Sequence, residues 1–83
     1  MELNQIEIIK KIVEEQLDIP YSDITYEADL FEDLGADSFD IANIISEIEV
    51  GFNISVPYAE AIHIKTFKEL IEHTEKKLVK NDI

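Results

Sequence analysis

The residues best placed to do chemistry lie in one stretch, "LGADSFDIANIISEIE", Leu34 to Glu49. In it Ser38 follows Asp37 and precedes Phe39 and Asp40, where an apolar helical pattern begins. A serine hydroxyl attacks a substrate only with a neighbouring base and an oxyanion hole. Here its neighbours are acids, and "GADSFD" lacks the second glycine of a nucleophile elbow. The two histidines, His63 and His73, fall on other elements, and a short helical domain offers no obvious substrate cleft. Hydrolase chemistry is set aside. Two readings remain. Asp37 and Ser38 can simply cap a helix, which is the simpler local reading. Alternatively Ser38 is acted upon, since a phosphate ester there would face free amide hydrogens and the positive end of a helix dipole.

Other polar groups offer less. His63 and His73 are too few and too scattered for a metal site. Asp29, Glu32 and Asp33 cluster without the ligand spacing and central glycine of an EF-hand. Tyr21, Tyr26 and Tyr58 read as rim residues with a wet hydroxyl.

The elements that position Ser38 follow from hydrophobic spacing. Ile6, Ile9, Ile12, Val13 and Leu17 predict a first helix over Leu3 to Leu17, with Ile8 off the stripe and free to touch a second neighbour. Pro20 then pushes Ile19 out of helical geometry. From Asp18 to Asp37 no period persists, so a long loop is expected, anchored by Ile19, Ile24, Leu30, Phe31 and Leu34. "ADLFEDLG" predicts a helical turn ended by a left-handed Gly35. Asp37 is the expected N-cap of a central helix whose stripe runs Phe39, Ala42, Ile45, Ile48 to Phe52, widened by Ile41 and Ile44, with Gly51 at its fraying end. In "NISVPYAEAIHI" Ile54 and Val56 should point inward, and Pro57 should open a short helix around Tyr58 to Ala61. Thr66 and Glu69 have the spacing of a capping box for a last helix carrying Phe67, Leu70, Ile71, Thr74 and Leu78. Lys76, Lys77 and Lys80 suit the C-terminal dipole of that helix. The expectation is an all-α, small four-helix bundle, three longer helices and one short one, with a long anchored loop between helices 1 and 2.

At 83 residues, with 46% of them apolar, the chain reads as one domain over residues 1–83 with a thin core. Without cysteine it has no disulfide, no thiolate catalysis and no cysteine-ligated zinc. The start "MELNQIEIIKK" lacks the pattern of a signal peptide, and no window nears about 18 uninterrupted apolar residues, so a cytoplasmic protein is expected. Nineteen acids stand against seven lysines and no arginine, for a formal net charge of −12. No lysine occurs between Lys11 and Lys65, while twelve acids fall between Glu14 and Glu49. That field repels nucleic acid and anionic lipid and attracts proteins with basic patches. The acids are interleaved with Ile, Leu and Phe, which points to a folded domain instead of a disordered acidic tail.

"LGADSFD" resembles the attachment motif of acyl carrier proteins, with Phe39 where leucine is usual. The resemblance covers nearly the whole chain: the first helix, the anchored loop, the helix at the motif, Phe52, Val56–Pro57 and the "KTF" opening of the last helix fall in order. It implies that Ser38 carries 4′-phosphopantetheine through a phosphodiester, taken from coenzyme A by a magnesium-dependent phosphopantetheinyl transferase. It implies that Asp37 helps that enzyme engage, that Phe39 and Asp40 lie in its recognition surface, and that the arm brings the thiol this chain lacks, so acyl groups ride as thioesters. Glu47 and Glu49 become the partner-recognition face, for acyl-loading and acyl-processing enzymes with basic patches. A cavity for the acyl chain is expected among Ile45, Ile48, Phe52, Ile64, Leu70 and Ile71.

The implied role is a non-catalytic, monomeric carrier of fatty-acid or related biosynthesis, acting as a free chain without nucleic-acid or membrane partners. There are departures. Asn43, Val50, Gly51 and Tyr58 stand where fatty-acid carriers often have acids, which opens a specialised role with polyketide, modified-lipid or aminoacyl cargo. A rival of another class is an unmodified acidic adaptor binding a basic partner through Asp40, Glu47 and Glu49.

Overall fold

The computed structural model describes residues 2–81, and side chains as far as residue 78. Four α-helices run in order: α1 (Leu3–Leu17), α2 (Ser38–Phe52), the short α3 (Tyr58–Ala61) and α4 (Phe67–Asn81). Among the described residues there is no strand, only one isolated bridge between Asp29 and Thr66. The all-α expectation holds, and α1, α3 and the start of α4 fall where spacing placed them. Pro57 caps α3 from one residue outside it. No helix among the described residues is long and apolar enough to cross a membrane.

One expectation about faces needs correction. Off the stripe of α1, Ile8 is 48% exposed, while Ile9 and Val13, one turn apart, are fully buried. In α2 the stripe through Phe39 and Ala42 is not the core face. Phe39 is 72% exposed and Ala42 is exposed, whereas Ile41, Ile44, Ile45 and Ile48 are buried. A strict spacing of three drifts by about 60° per step on a helix of 3.6 residues per turn, so Phe39 and Ile48 end on opposite sides. The i, i+3, i+4, i+7 series beginning at Ile41 does not drift. Gly51 lies in the last turn, and the stop comes at Asn53, in a left-handed conformation with φ 55°. Its N–H, and that of Ile54, both donate to the Glu49 carbonyl.

The loop from Asp18 to Asp37 has its own scaffold. Asp18 ends α1 with φ 55°, and a 3-10 turn covers Tyr21–Asp23. Gly35 closes the helical turn after Leu30 at φ 76°, a conformation that strains a residue bearing a Cβ. Ile24, Leu30 and Leu34 are buried and Ile19 packs against the core, but Phe31 is 38% exposed. What spacing did not reveal is the seam to α4. Leu30 N–H donates to Lys65 O (2.8 Å), Phe67 N–H to Ala28 O (2.9 Å) and Lys68 N–H to Tyr26 O (2.9 Å). Leu30 and Phe67 are themselves fully buried at that seam. Each such side chain contributes about 1.5–3 kcal/mol.

α4 opens on the expected box. Glu69 N–H donates to Thr66 Oγ1 (3.1 Å), and Glu69 Oε1 accepts from the amides of Lys65 and Thr66 (both 2.9 Å). Phe67, Leu70, Ile71 and Thr74 are buried, and the Thr74 hydroxyl is satisfied by the Leu70 carbonyl at 2.8 Å. Lys77, expected to serve the helix dipole, instead reaches back to Glu60 on α3 at 2.9 Å. Lys76 is exposed, and Lys80 lies outside the described side chains.

Thr66→Ala should destabilise the fold by about 1 kcal/mol, lowering the melting temperature by roughly 4–8 °C; an unchanged temperature would show that the box contributes nothing. A second expectation concerns pH. The Glu69 carboxyl is held below its ordinary 4.5 first by the Lys65 amide and then by the Thr66 amide. With its folded value below its unfolded one, its contribution is present above the ordinary range and lost as pH falls through the depressed value. The stability difference between wild type and Glu69→Gln should therefore be flat at pH well above the ordinary 4.5 and shrink as pH falls below it. Thermal melts at fixed ionic strength read it directly, and a difference that ignores pH would remove the carboxylate from the account.

Candidate functional site

The first turn of α2 is built by two aspartates. Asp40 N–H donates to Asp37 Oδ1 (2.8 Å), and Asp37 N–H donates to Asp40 Oδ2 (3.1 Å). Asp37 is the N-cap, in extended backbone, and Ser38 is the first helical residue. The cap needs nothing from Ser38. Its side chain is exposed and makes no hydrogen bond among the described residues. The two readings of the Asp37–Ser38 pair therefore separate: Asp37 caps, and the serine hydroxyl is left over.

A third residue steadies this turn. Gln16 on α1 donates through Nε2 to Asp40 Oδ1 at 3.1 Å, so α1 and the serine's turn are tied by a side-chain bond. The Asp40 carboxyl is held below its ordinary range, first by Gln16 and then by the Asp37 amide. Spacing did not single out Gln16. Its signal was position: it lies three residues from buried Val13, and so beside the buried face of α1.

Ser38 also stands in the wall of a cavity of about 360 Å³. Along α2 the wall is Ser38, Ile41, Ala42, Ile45 and Glu49; Val56 and Ile64 continue it, and Tyr58, Ala61 and Ile62 close the α3 side, with Phe31 from the loop. Of the six residues expected to line an acyl cavity, Ile45 and Ile64 stand in this wall. Ile48, Leu70 and Ile71 are buried in the core and Phe52 packs against it, none of them in this wall. For Ile48 the reason is again angular. Taking Ser38 as origin at about 100° per residue, Ala42, Ile45 and Glu49 lie within about 40° of it, while Ile44 and Ile48 are turned about 80–120° away. Phe52 shares the angle of the wall but lies at the far end of α2, and Leu70 and Ile71 belong to α4.

The expected recognition residues divide. Phe39 is open beside Ser38, and Glu47 is exposed. Asp40 is half-buried in its bonds to Gln16 and Asp37. Glu49 is half-buried, and its Oε2 accepts the Val56 N–H at 2.8 Å, bracing the segment after α2 against the cavity. Phe31, Tyr58 (83% exposed) and Ile62 give the cavity an apolar rim. Of the histidines, His63 is exposed and His73 Nε2 lies 2.7 Å from Glu60 Oε1. Among the described residues no group of three or more His, Asp or Glu is arranged to hold a metal.

A free hydroxyl at the start of a helix, exposed yet in the wall of an apolar cavity, fits a phosphodiester-linked arm whose far end carries an apolar group. Comparison with known proteins points the same way. Residues 7–74 match the family described as phosphopantetheine attachment site. The chain is 43% identical over 75 residues to an acyl carrier protein of Amoebophilus asiaticus (strain 5a2), covering 87% of this chain and 94% of that one. It is 37% identical over 70 residues to an acyl carrier protein of Thermotoga maritima (strain MSB8), covering 84% and 86%. With most of its length matched in this way and its helices and serine disposed as described, the chain belongs to the acyl carrier protein family.

Proposed function

We propose that this chain carries acyl groups on a 4′-phosphopantetheine arm esterified to Ser38 and hands them to partner enzymes of fatty-acid or related biosynthesis. The observation that carries the assignment to Ser38 is its hydroxyl: outside the cap, exposed, and in the wall of the cavity. When bound, the arm supplies the thiol that a chain without cysteine cannot. The protein's own residues do the rest. Asp37 and Asp40 hold the turn so that Oγ of Ser38 projects from a fixed backbone, and Gln16 keeps that turn against α1. No base stands beside Ser38, so the transferase that modifies it must provide the proton acceptor. That enzyme, with coenzyme A as donor, is the first partner. Asp37 and Phe39 are the groups it meets, and Asp40 acts on it through the geometry of the turn.

Cargo is sheltered by apolar contact alone. Burying an acyl chain gains about 0.8 kcal/mol per methylene, enough to hold it and little enough to release it. The acidic surface steers the enzymes that load and unload it, with Glu47 open to solvent on α2. A monomeric, cytoplasmic carrier that is itself no catalyst completes the reading. One observation favours a specialised cargo: Val50 and Tyr58, at positions where the family resemblance expects acids, are each 83% exposed. Partners that grip this carrier meet apolar surface there as well as charge.

Incubating the folded apo-protein with coenzyme A, magnesium and a broad-specificity phosphopantetheinyl transferase should add one phosphopantetheine by intact mass, mapped to Ser38. Ser38→Ala should keep its stability within about 0.5 kcal/mol and gain nothing, whereas Asp37→Ala should lose about 1 kcal/mol with its cap and load more slowly. A Ser38→Ala variant that still takes up the arm would move the site elsewhere. A folded, unmodified wild type that takes up none would make the acidic adaptor the better account. Association rates with loading enzymes should fall steeply as salt rises through the range where the Debye length shrinks below about 10 Å; rates indifferent to salt would assign recognition to the apolar rim.

A further inference from the structure

Along α2 the wall of the cavity begins and ends on polar groups. From Ser38 it runs through Ile41, Ala42 and Ile45 to Glu49, about 16 Å along the helix axis and on one side of α2. Among the described residues Glu49 is the only carboxyl in the lining, and no lysine or histidine stands there to pair with it. Apart from Ser38 and Tyr58, the rest of the lining is apolar. Glu49 is half-buried, and its Oε2 accepts the Val56 N–H at 2.8 Å, which holds the carboxylate against the cavity. A carboxylate accepts up to about four hydrogen bonds, so one amide does not exhaust it.

We propose that Glu49 selects the cargo: it makes the cavity a site for acyl chains that bear an ammonium group, and disfavours plain alkyl chains long enough to cover it. The inference rests on the reading of Ser38 as the point of attachment. An alkyl chain laid along the wall gains by burial as far as Ile45. Beyond that it covers a charged oxygen, and desolvating a carboxylate without a new partner costs more than a methylene gains. An ammonium group at that point reverses the sign. It donates to the carboxylate in a site partly shielded from water, where a charge-assisted bond is stronger than one between neutral groups. The charge of the whole chain acts in the same direction. With a net charge of −12 and no lysine between Lys11 and Lys65, the surroundings favour a cationic tail over a neutral one. Glu47, exposed on the same helix and outside the cavity, is left to meet partner enzymes.

The test has two readouts. Hexylammonium is titrated into the unloaded protein, and the Val56 amide, whose hydrogen bond ends on Glu49, reports binding by its NMR shift. Hexylammonium should bind roughly three- to ten-fold more tightly than hexanol. Glu49→Gln, whose side-chain carbonyl still accepts from Val56, should abolish that preference. Glu7→Gln removes the same charge from an exposed position on α1, outside the cavity, and should preserve it. Equal binding of hexanol by wild type, or a preference that survives in Glu49→Gln, overturns the proposal. A preference lost in Glu7→Gln as well would trace it to net charge and overturn it too. Then wild type and Glu49→Gln are loaded with pantetheine carrying ω-amino or plain alkyl chains of stepwise increasing length. In wild type the amino chain should melt higher than the alkyl chain of equal length by roughly 4–8 °C at one length, and in Glu49→Gln at none. The same pattern in both proteins overturns selection by Glu49. A wild type that takes up no pantetheine, yet still prefers hexylammonium, overturns instead the assignment of Ser38.

Discussion

A short seam of backbone hydrogen bonds between the long loop and the start of α4 is the constraint on which the rest of the fold depends. Leu30 to Lys65, Phe67 to Ala28 and Lys68 to Tyr26 join residues 35 to 42 positions apart, and they do so where Leu30 and Phe67 are fully buried. Without that seam the loop would be about twenty residues of chain with no internal repeat, costly to order. With it, the loop becomes a fixed strap. Its far end delivers Ala36 (7% exposed) to the core and Asp37 to the cap, so the position of Ser38 at the surface is set by residues well away from it.

A chain with nineteen acids and seven lysines cannot balance its charge by ion pairs, and its carboxylates take another role. Asp29 accepts from the amides of Phe31 and Glu32, Asp33 from Asp29, and Asp37 and Asp40 from each other. Glu49 accepts from Val56, and Glu69 from Lys65 and Thr66. These sites are turns and helix starts, where backbone N–H groups lack helical partners and a carboxylate makes a stronger bond than a neutral acceptor. The acidity that, on the proposed function, steers basic partners also holds together the turns around Ser38. The two uses coexist because a carboxylate that accepts a backbone hydrogen bond keeps its full charge.

Glu60 stands apart from this pattern, since its partners are side chains of another helix. Lys77 and His73 lie on α4 behind α3, while the cavity lies in front of it. A small domain has little core to spare for a firm wall around a ligand. Here one side of the cavity is packed and the other is held by polar contacts at its back.

The sequence by itself determined the helices and their caps, because these depend on neighbours within a few positions. Hydrophobic spacing located α1 and α4, Thr66 and Glu69 marked a capping box, Gly35 marked a left-handed stop, and Asp37 marked the start of α2. Ser38 was legible as the candidate for modification for the same reason, with the motif around it pointing to a family. Tertiary structure alone decided which face of each helix meets what. It turned Phe39 and Ala42 outward and Ile41 and Ile44 inward, and drew Glu49 to Val56. It set the cavity along Ser38, Ala42 and Ile45 instead of Ile48, Leu70 and Ile71, and it brought Gln16 to Asp40 and His73 to Glu60. Those pairings join residues up to 24 positions apart, and their geometry follows from how helices pack, which no local spacing encodes.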